Sequence, residues 1–173
     1  MPSTSEDEYA DFVHAHWKST LRTAYLLTGD HHLAEDLTQS AFTKALLSWS
    51  RVRQVEHPAA YVRKIVVNQA ISWRRRRSSA EAPTDRLSDR PRKGHEESVT
   101  LAYDVWAAIL RLPARQRAVI VLRYYEDLSE AEIAAVLGMA RGTVKSHANA
   151  ARRALSALLP QDATNEEVPH EPR

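Results

Sequence analysis

The sequence predicts an all-α protein, two small helical bundles joined by a flexible linker. Three observations carry that expectation. Apolar residues recur at three- and four-residue steps in both halves of the chain, as they do on one face of a helix. No segment alternates apolar and polar residues for long enough to make a convincing strand. Between the halves, residues 78–98 hold two prolines, one glycine, five serines or threonines and a single large apolar residue, Leu87. Such a segment buries too little surface to offset the entropy of ordering it.

The first bundle is expected over residues 8–77. Phe12, Val13, Trp17, Leu21, Ala24 and Tyr25 form one helical stripe, which Gly29 ends. Asp30 is placed to cap the next helix by accepting a hydrogen bond from an orphan backbone N–H. That helix presents Leu33, Leu37, Ala41 and Ala45, with Phe42 and Leu46 beside the stripe. A loop from Ser48 to His57 follows. Pro58 suits a first helical turn, where its missing N–H costs nothing, and a third helix runs through Arg77. Val62, Ile65, Val66 and Ala70 give that helix one packed face.

The second bundle is expected over residues 99–160. Val105, Ile109 and Leu112 mark a helix that Pro113 breaks, and Ala118, Val119 and Leu122 mark another that ends near Tyr125. Ser129 and Glu132 have the spacing of a capping box, in which each satisfies the other's orphan donor. From there, residues 129–155 have the layout of a helix-turn-helix. Ile133, Ala134 and Leu137 line its first helix, and Gly138 takes the sharp turn, where a positive φ is cheap for glycine alone. Val144, Ala148, Ala151 and Leu155 turn the second helix inward. Thr143, Lys145, Ser146, His147, Asn149, Arg152 and Arg153 then face outward, where such a helix reads base edges near its start and neutralises phosphates further along. The acidic tail, 161–173, is expected to be disordered.

Composition removes several classes. The 173 residues include no cysteine, which excludes disulfides, thiolate nucleophiles and cysteine-ligated metals. Apolar runs such as Ala118–Leu122 fall far short of the ~20 residues that span a membrane. The N-terminus, MPSTSEDEYADF, is acidic where a secretory signal would be basic and then apolar. A cytoplasmic protein without membrane insertion is therefore expected. There is no Walker-type glycine loop and no G-x-S-x-G elbow. His14 with His16, and His31 with His32, are too close in sequence to share a helix face as zinc ligands four apart do. No enzyme, cofactor or metal is expected.

Charge points elsewhere. The formal net charge is only +2, yet residues 1–77 hold 11 Lys+Arg against 8 Asp+Glu, and residues 99–160 hold 8 against 5. Two basic blocks suggest a polyanionic partner, most often nucleic acid. In the first block Arg63, Lys64 and the run Arg74, Arg75, Arg76, Arg77 lie near Trp49, Tyr61 and Trp73. Cations interleaved with aromatic rings suit single-stranded DNA, whose bases stack while the cations hold its backbone.

Four segments together resemble a known family: Ala34-Glu35-Asp36-Leu37-Thr38-Gln39-Ser40-Ala41-Phe42, Tyr61-Val62-Arg63-Lys64-Ile65-Val66-Val67-Asn68, Leu112-Pro113-Ala114-Arg115-Gln116-Arg117, and the helix-turn-helix. In this order and spacing they resemble the extracytoplasmic-function (ECF) group of bacterial RNA polymerase sigma factors. These are the smallest members of the sigma-70 family, with the second and fourth sigma domains only. The likeness covers about residues 8–159. It implies sigma domain 2 over 8–77, the linker over 78–98 and sigma domain 4 over 99–160. It further implies an alternative sigma factor that binds core RNA polymerase and directs promoter-specific initiation.

The resemblance also implies residue roles. Glu35, Asp36, Gln39 and Phe42 lie on the segment that docks on the clamp helices of the β′ subunit. The loop Leu47–His57 and the helix after it take the part that melts the −10 element. Trp49, Arg63, Lys64, Asn68, Trp73 and Arg74 to Arg77 are the candidates there. Arg115, Arg123, Arg141 and the outward residues of the last helix are the candidates for duplex −35 DNA, in a domain that also holds the β flap. Small sigma factors of this type often have an anti-sigma protein as a further partner. Two departures stand out. Ala140 and Arg141 replace the capping serine the family often has, and His147 and Ala148 replace a common arginine and aliphatic residue. The alternative is a stand-alone helix-turn-helix regulator with an unrelated N-terminal domain, which would bind its operator without polymerase. It leaves the Asp36/Gln39 helix and the arginine-tipped helix unexplained.

Overall fold

The computed structural model describes residues 5–80 and 97–159, and every regular element among them is helical. In chain order these are α1 (Ser5–Thr28), α2 (His31–Leu47), the single turn α3 (Trp49–Val52) and α4 (Pro58–Ala80). There follow α5 (Glu97–Arg111), α6 (Ala114–Ile120), a π-helical turn (Val121–Tyr125), α7 (Glu130–Leu137) and α8 (Arg141–Leu158). None of these helices is long and apolar enough to cross a membrane.

The expected stop and start signals operate as read. Gly29 adopts φ +72° and its N–H donates to the Tyr25 carbonyl at 2.8 Å, closing α1. Asp30 caps α2, with Oδ1 accepting from the Leu33 N–H at 3.0 Å. Pro58 opens α4. The capping box is complete, since Glu132 Oε2 accepts from the Ser129 N–H at 2.8 Å while the Ser129 hydroxyl accepts from the Glu132 N–H. Gly138 ends α7 at φ 61°, ψ 43°.

In the first half, Ala24, Ala34, Ala41 and Ala45 are fully buried and let α1, α2 and α4 approach closely around Phe42, Val62 and Val66. Phe12, Trp17 and Leu21 pack onto that cluster. A second core joins the halves. Leu27, Val67 and Ala70 from the first half meet Val119, Leu122, Ile133, Val136, Leu137 and Val144 from the second. α4 is thus buried on two sides, where its sequence stripe predicts one packed face. Val67 stands one residue off that stripe, so a single-face reading assigns it to solvent.

Arg117 secures the junction. It is 1% exposed, and its guanidinium donates to the carbonyls of Leu27 at 2.7 Å, Ile109 at 3.1 Å, Leu112 at 3.3 Å and also Leu110. These carbonyls close the C-terminal ends of α1 and α5, where the last C=O groups lack intrahelical partners. The cation also lies at the negative ends of both helix dipoles. Burial, and after it the neighbouring Arg74 charge, lowers its pKa to about 9, so it remains protonated at neutral pH.

Three boundaries differ from expectation. The Ser48–His57 loop contains the one-turn helix α3. The helix after Ala118 does not remain α-helical to Tyr125, because the ladder widens to an i→i+5 bond from Glu126 N–H to Val121 O at 3.1 Å. α4 extends to Ala80 and α5 begins at Glu97, so both take residues from the segment read as linker. The remainder of that segment, 81–96, and the acidic tail lie outside the described residues.

Candidate nucleic-acid interface

α8 is the simplest of the candidate surfaces. Val144, Ala148 and Ala151 are buried at helical spacing. The opposite side is therefore turned out, and Arg141, Thr143, Lys145, Ser146, Arg152 and Arg153 are exposed, with His147 and Asn149 half-buried. Asn149 Oδ1 accepts from Arg152 Nη2, which fixes that guanidinium against the helix. At the helix start Ala140 is the N-cap and supplies no side-chain bond, so the first-turn N–H groups lack the cap a serine would give. Arg115 is exposed on α6. Arg123 pairs with Glu130 at 3.2 Å.

α4 is arranged differently. Lys64, Arg75, Arg76 and Arg77 are exposed. Arg63 pairs through Nε with Glu126 Oε2 at 2.7 Å. Asn68 donates through Nδ2 to the Lys64 carbonyl at 2.9 Å and to the Val136 carbonyl of α7 at 3.3 Å. Arg74 turns inward and donates to the Leu110 carbonyl of α5 at 3.2 Å, and its burial, then the Arg77 charge, lower its pKa. Trp73 is half-buried, with the Arg77 guanidinium 5.0 Å above its ring. The arginine run therefore splits, one member into the protein and three outward.

Two expectations are corrected by burial. Trp49 is 7% exposed, with its ring 5.2 Å from Tyr9 and 5.0 Å from Phe12, so it is a core residue with no face open to a base. Phe42 is 3% exposed and stacks on Trp17 at 5.5 Å, so it shapes α2 from beneath and does not present itself to a partner. On the other side of α2, Glu35, Asp36 and Gln39 are exposed, and Glu35 lies 3.5 Å from His31. The same helix ends in Leu46 and Leu47, 50% and 81% exposed, an apolar continuation of that face. Sequence reasoning placed Leu46 beside the core stripe, because helical spacing alone cannot tell which edge of a stripe a neighbouring helix covers.

Residues 12–80 match the family described as Sigma-70 region 2, and residues 103–155 match Sigma-70, region 4. The chain is 35% identical over 159 residues to the ECF RNA polymerase sigma factor SigL of Mycobacterium tuberculosis, covering 88% of this chain and 85% of that one. This chain belongs to the sigma-70 family of RNA polymerase sigma factors. It is an alternative sigma factor of the ECF kind, directing transcription initiation. A second sigma-factor relative, the RNA polymerase sigma-E factor of Streptomyces coelicolor, is 33% identical over 139 residues, covering 80% of this chain and 78% of that one. The sigma-factor fold matches as well. The Bartonella quintana sigma factor RpoE, co-crystallised with the anti-sigma factor NepR, superposes with a TM-score of 0.72 at 26% identity, over 90% of this chain and 98% of that one. A stand-alone regulator with an unrelated N-terminal domain is set aside, because the N-terminal half is itself sigma region 2.

Proposed function

We propose that the two halves divide the sigma-factor task as follows. Residues 8–77, with α4 continuing to Ala80, dock on the β′ clamp helices of core polymerase through Glu35, Asp36 and Gln39. The same half engages melted −10 DNA through Arg63, Lys64, Asn68, Trp73 and Arg74 to Arg77. Residues 99–160 hold the β flap and read duplex −35 DNA. There Arg141, Thr143, Lys145, Ser146, His147 and Asn149 face the groove, and Arg115, Arg123, Arg152 and Arg153 are placed for phosphates. The work is done by binding, with no side chain in a chemical step, and in the cytoplasm where the polymerase acts. An anti-sigma protein is carried over as a partner class from the co-crystallised RpoE neighbour.

The observation that carries the −35 assignment is the one-sided burial of α8, which leaves its cations and hydrogen-bonding side chains in solvent. The test is co-elution with core RNA polymerase followed by transcription from a genomic fragment library. Promoter-specific transcripts support the reading, and tight duplex binding without any polymerase association overturns it. Asp36→Ala is expected to weaken core binding at an unchanged melting temperature. Unchanged affinity removes Asp36 from the contact.

A further inference from the structure

Asn149 and Arg152 stand about one turn apart on α8, and Asn149 Oδ1 accepts from Arg152 Nη2. A guanidinium carries only N–H donors, so the amide atom that meets it is the oxygen. The pair lies on the side of α8 away from Val144, Ala148 and Ala151, with Asn149 half-buried and Arg152 exposed. Asn149 follows Lys145 by four residues and Ser146 by three, so these side chains share one surface. The same surface begins at Gly142, where an added Cβ would meet nothing within 4 Å. Packing within the described residues does not call for a glycine there, and glycine weakens a helix. Its missing side chain lets α8 sit deep in a groove, where a side chain as short as asparagine reaches base edges.

On its own, an asparagine in the major groove favours adenine, because its oxygen accepts from N6–H₂ while its N–H donates to N7. Here the oxygen is engaged. Arg152 takes one lone pair through a charge-assisted bond, stronger than the neutral donor of adenine makes, and its positive charge repels a second donor at the other lone pair. What remains for a base is N–H groups, from Nδ2 and from the guanidinium donors not given to Asn149. Guanine shows two acceptors in the major groove, N7 and O6, and no donor. Adenine and cytosine each present a donor there, and thymine a single acceptor.

We infer that Asn149 and Arg152 act as a unit selecting guanine at one position of the −35 duplex, with Arg152 the positioning residue that sets which end of the Asn149 amide meets the base. This assignment rests on the −35 reading of α8 proposed above and names the base that reading leaves open. Arg152 keeps its phosphate contact. Phosphates flank every base pair, so that contact adds equally to all sequences and leaves the choice of base to the pair's donors.

The test combines the full chain with core RNA polymerase and sequences the fragments retained from a promoter library randomised across the −35 region. Asn149→Ala identifies the position concerned, as the one where base preference collapses. In wild type that position is expected to take guanine over adenine about five-fold or more, the lower end of what a matched pair of base contacts gives. Arg152→Met frees Oδ1 and is expected to move the guanine-to-adenine ratio there about five-fold or more toward adenine. It also weakens binding to every sequence, and a uniform loss cancels in the ratio. Arg153→Met removes a neighbouring exposed charge and should weaken binding with the ratio unchanged. Melting temperatures equal to wild type check that all three variants keep the fold. A wild-type preference for adenine at the Asn149 position would overturn the assignment. So would a ratio that Arg152→Met leaves unmoved, one that Arg153→Met moves equally, or an Asn149→Ala variant that loses preference nowhere. A wild-type chain that enriches no −35 sequence at all fails one step earlier, at the −35 reading itself, and is told apart from these outcomes by that lack of enrichment.

Discussion

α4 and α8 are both long, basic and striped with apolar residues, but they meet the rest of the protein in opposite ways. α8 is buried along one line, Val144, Ala148 and Ala151, and its cations stand in water. α4 is buried on two sides, Val62 and Val66 toward one core and Val67 and Ala70 toward the other, and part of its cationic set is absorbed in between. A basic helix thus advertises charge in the sequence but not whether that charge is free. Freedom depends on how many sides of the helix its neighbours cover.

The largest effect is expected at the junction that makes the two helices differ. Arg117→Met leaves the carbonyl ends of α1 and α5 buried without their donor and should cost about 3–5 kcal/mol in urea unfolding, because several buried carbonyls each lose a hydrogen bond to a charged group, at about 1–3 kcal/mol apiece. Lys at this position should rescue little, because a single ammonium cannot match a fork that spans two helix ends. A loss below about 1 kcal/mol would mean that water replaces the guanidinium. Next is Trp49→Ala, expected to cost about 3–5 kcal/mol as a core truncation. Trp49→Phe, measured well below its melting temperature, should leave single-stranded DNA affinity at the wild-type level. A selective loss of that affinity would return Trp49 to the DNA surface.

Smaller effects sharpen the contrast itself. Lys145→Ala or Arg152→Ala should weaken duplex binding and flatten its salt dependence by about one unit of slope for each phosphate no longer neutralised. In the free chain Arg63→Ala should leave that slope unchanged, because Arg63 is already paired with Glu126. An equal change of slope from both would erase the distinction between the helices. Ser129→Ala should cost about 1 kcal/mol through loss of the capping box. Hydrogen bonds from the Ser129 hydroxyl and N–H hold the Glu132 carboxyl below its ordinary pKa of 4.5. The box therefore contributes stability above that pH and loses it as the pH falls through the lowered value, which a pH series of melting curves checks. Smallest is Ala140→Ser. Its backbone already has the extended geometry of an N-cap, φ −68° and ψ 148°, so a serine cap should add about 0.5–1 kcal/mol.

Much of the fold was legible because its signals are local. Gly29, Asp30, Pro58, the Ser129–Glu132 box and Gly138 act within a turn of their own position, and each ends or begins a helix in the structure. The outward face of α8 was legible for the same reason, since one apolar line on a helix covered along one side defines its opposite. The exposed Glu35, Asp36 and Gln39 on α2 followed the same rule. Trp49 was misplaced because an aromatic residue beside charges has the same sequence whether it stacks on a base or on Tyr9 and Phe12, whereas Phe42, which periodicity set beside the core stripe, was drawn to the docking segment by the family resemblance alone. Arg117 was visible only as a letter in the Leu-Pro-Ala-Arg-Gln-Arg segment. A hint lay in its place one residue before Ala118 and Val119, in a helix whose next turn is wholly apolar.

By itself, the sequence determined that this chain is helical, where most helices start and stop, and that it carries the region 2 and region 4 segments of a sigma factor. The first two follow from hydrogen bonds and apolar spacing within a few residues, and the third from the likeness of its motifs to that family. Only the tertiary structure decided that the halves share a core, that Arg117 closes two helices at once, and that Glu126 reaches Arg63 across 63 positions of chain. Such contacts join residues with no sequence relation to each other. They exist because burying Leu27, Val67 and Ala70 against α6 and α7 removes apolar surface from water, and that packing alone brings the polar partners within reach.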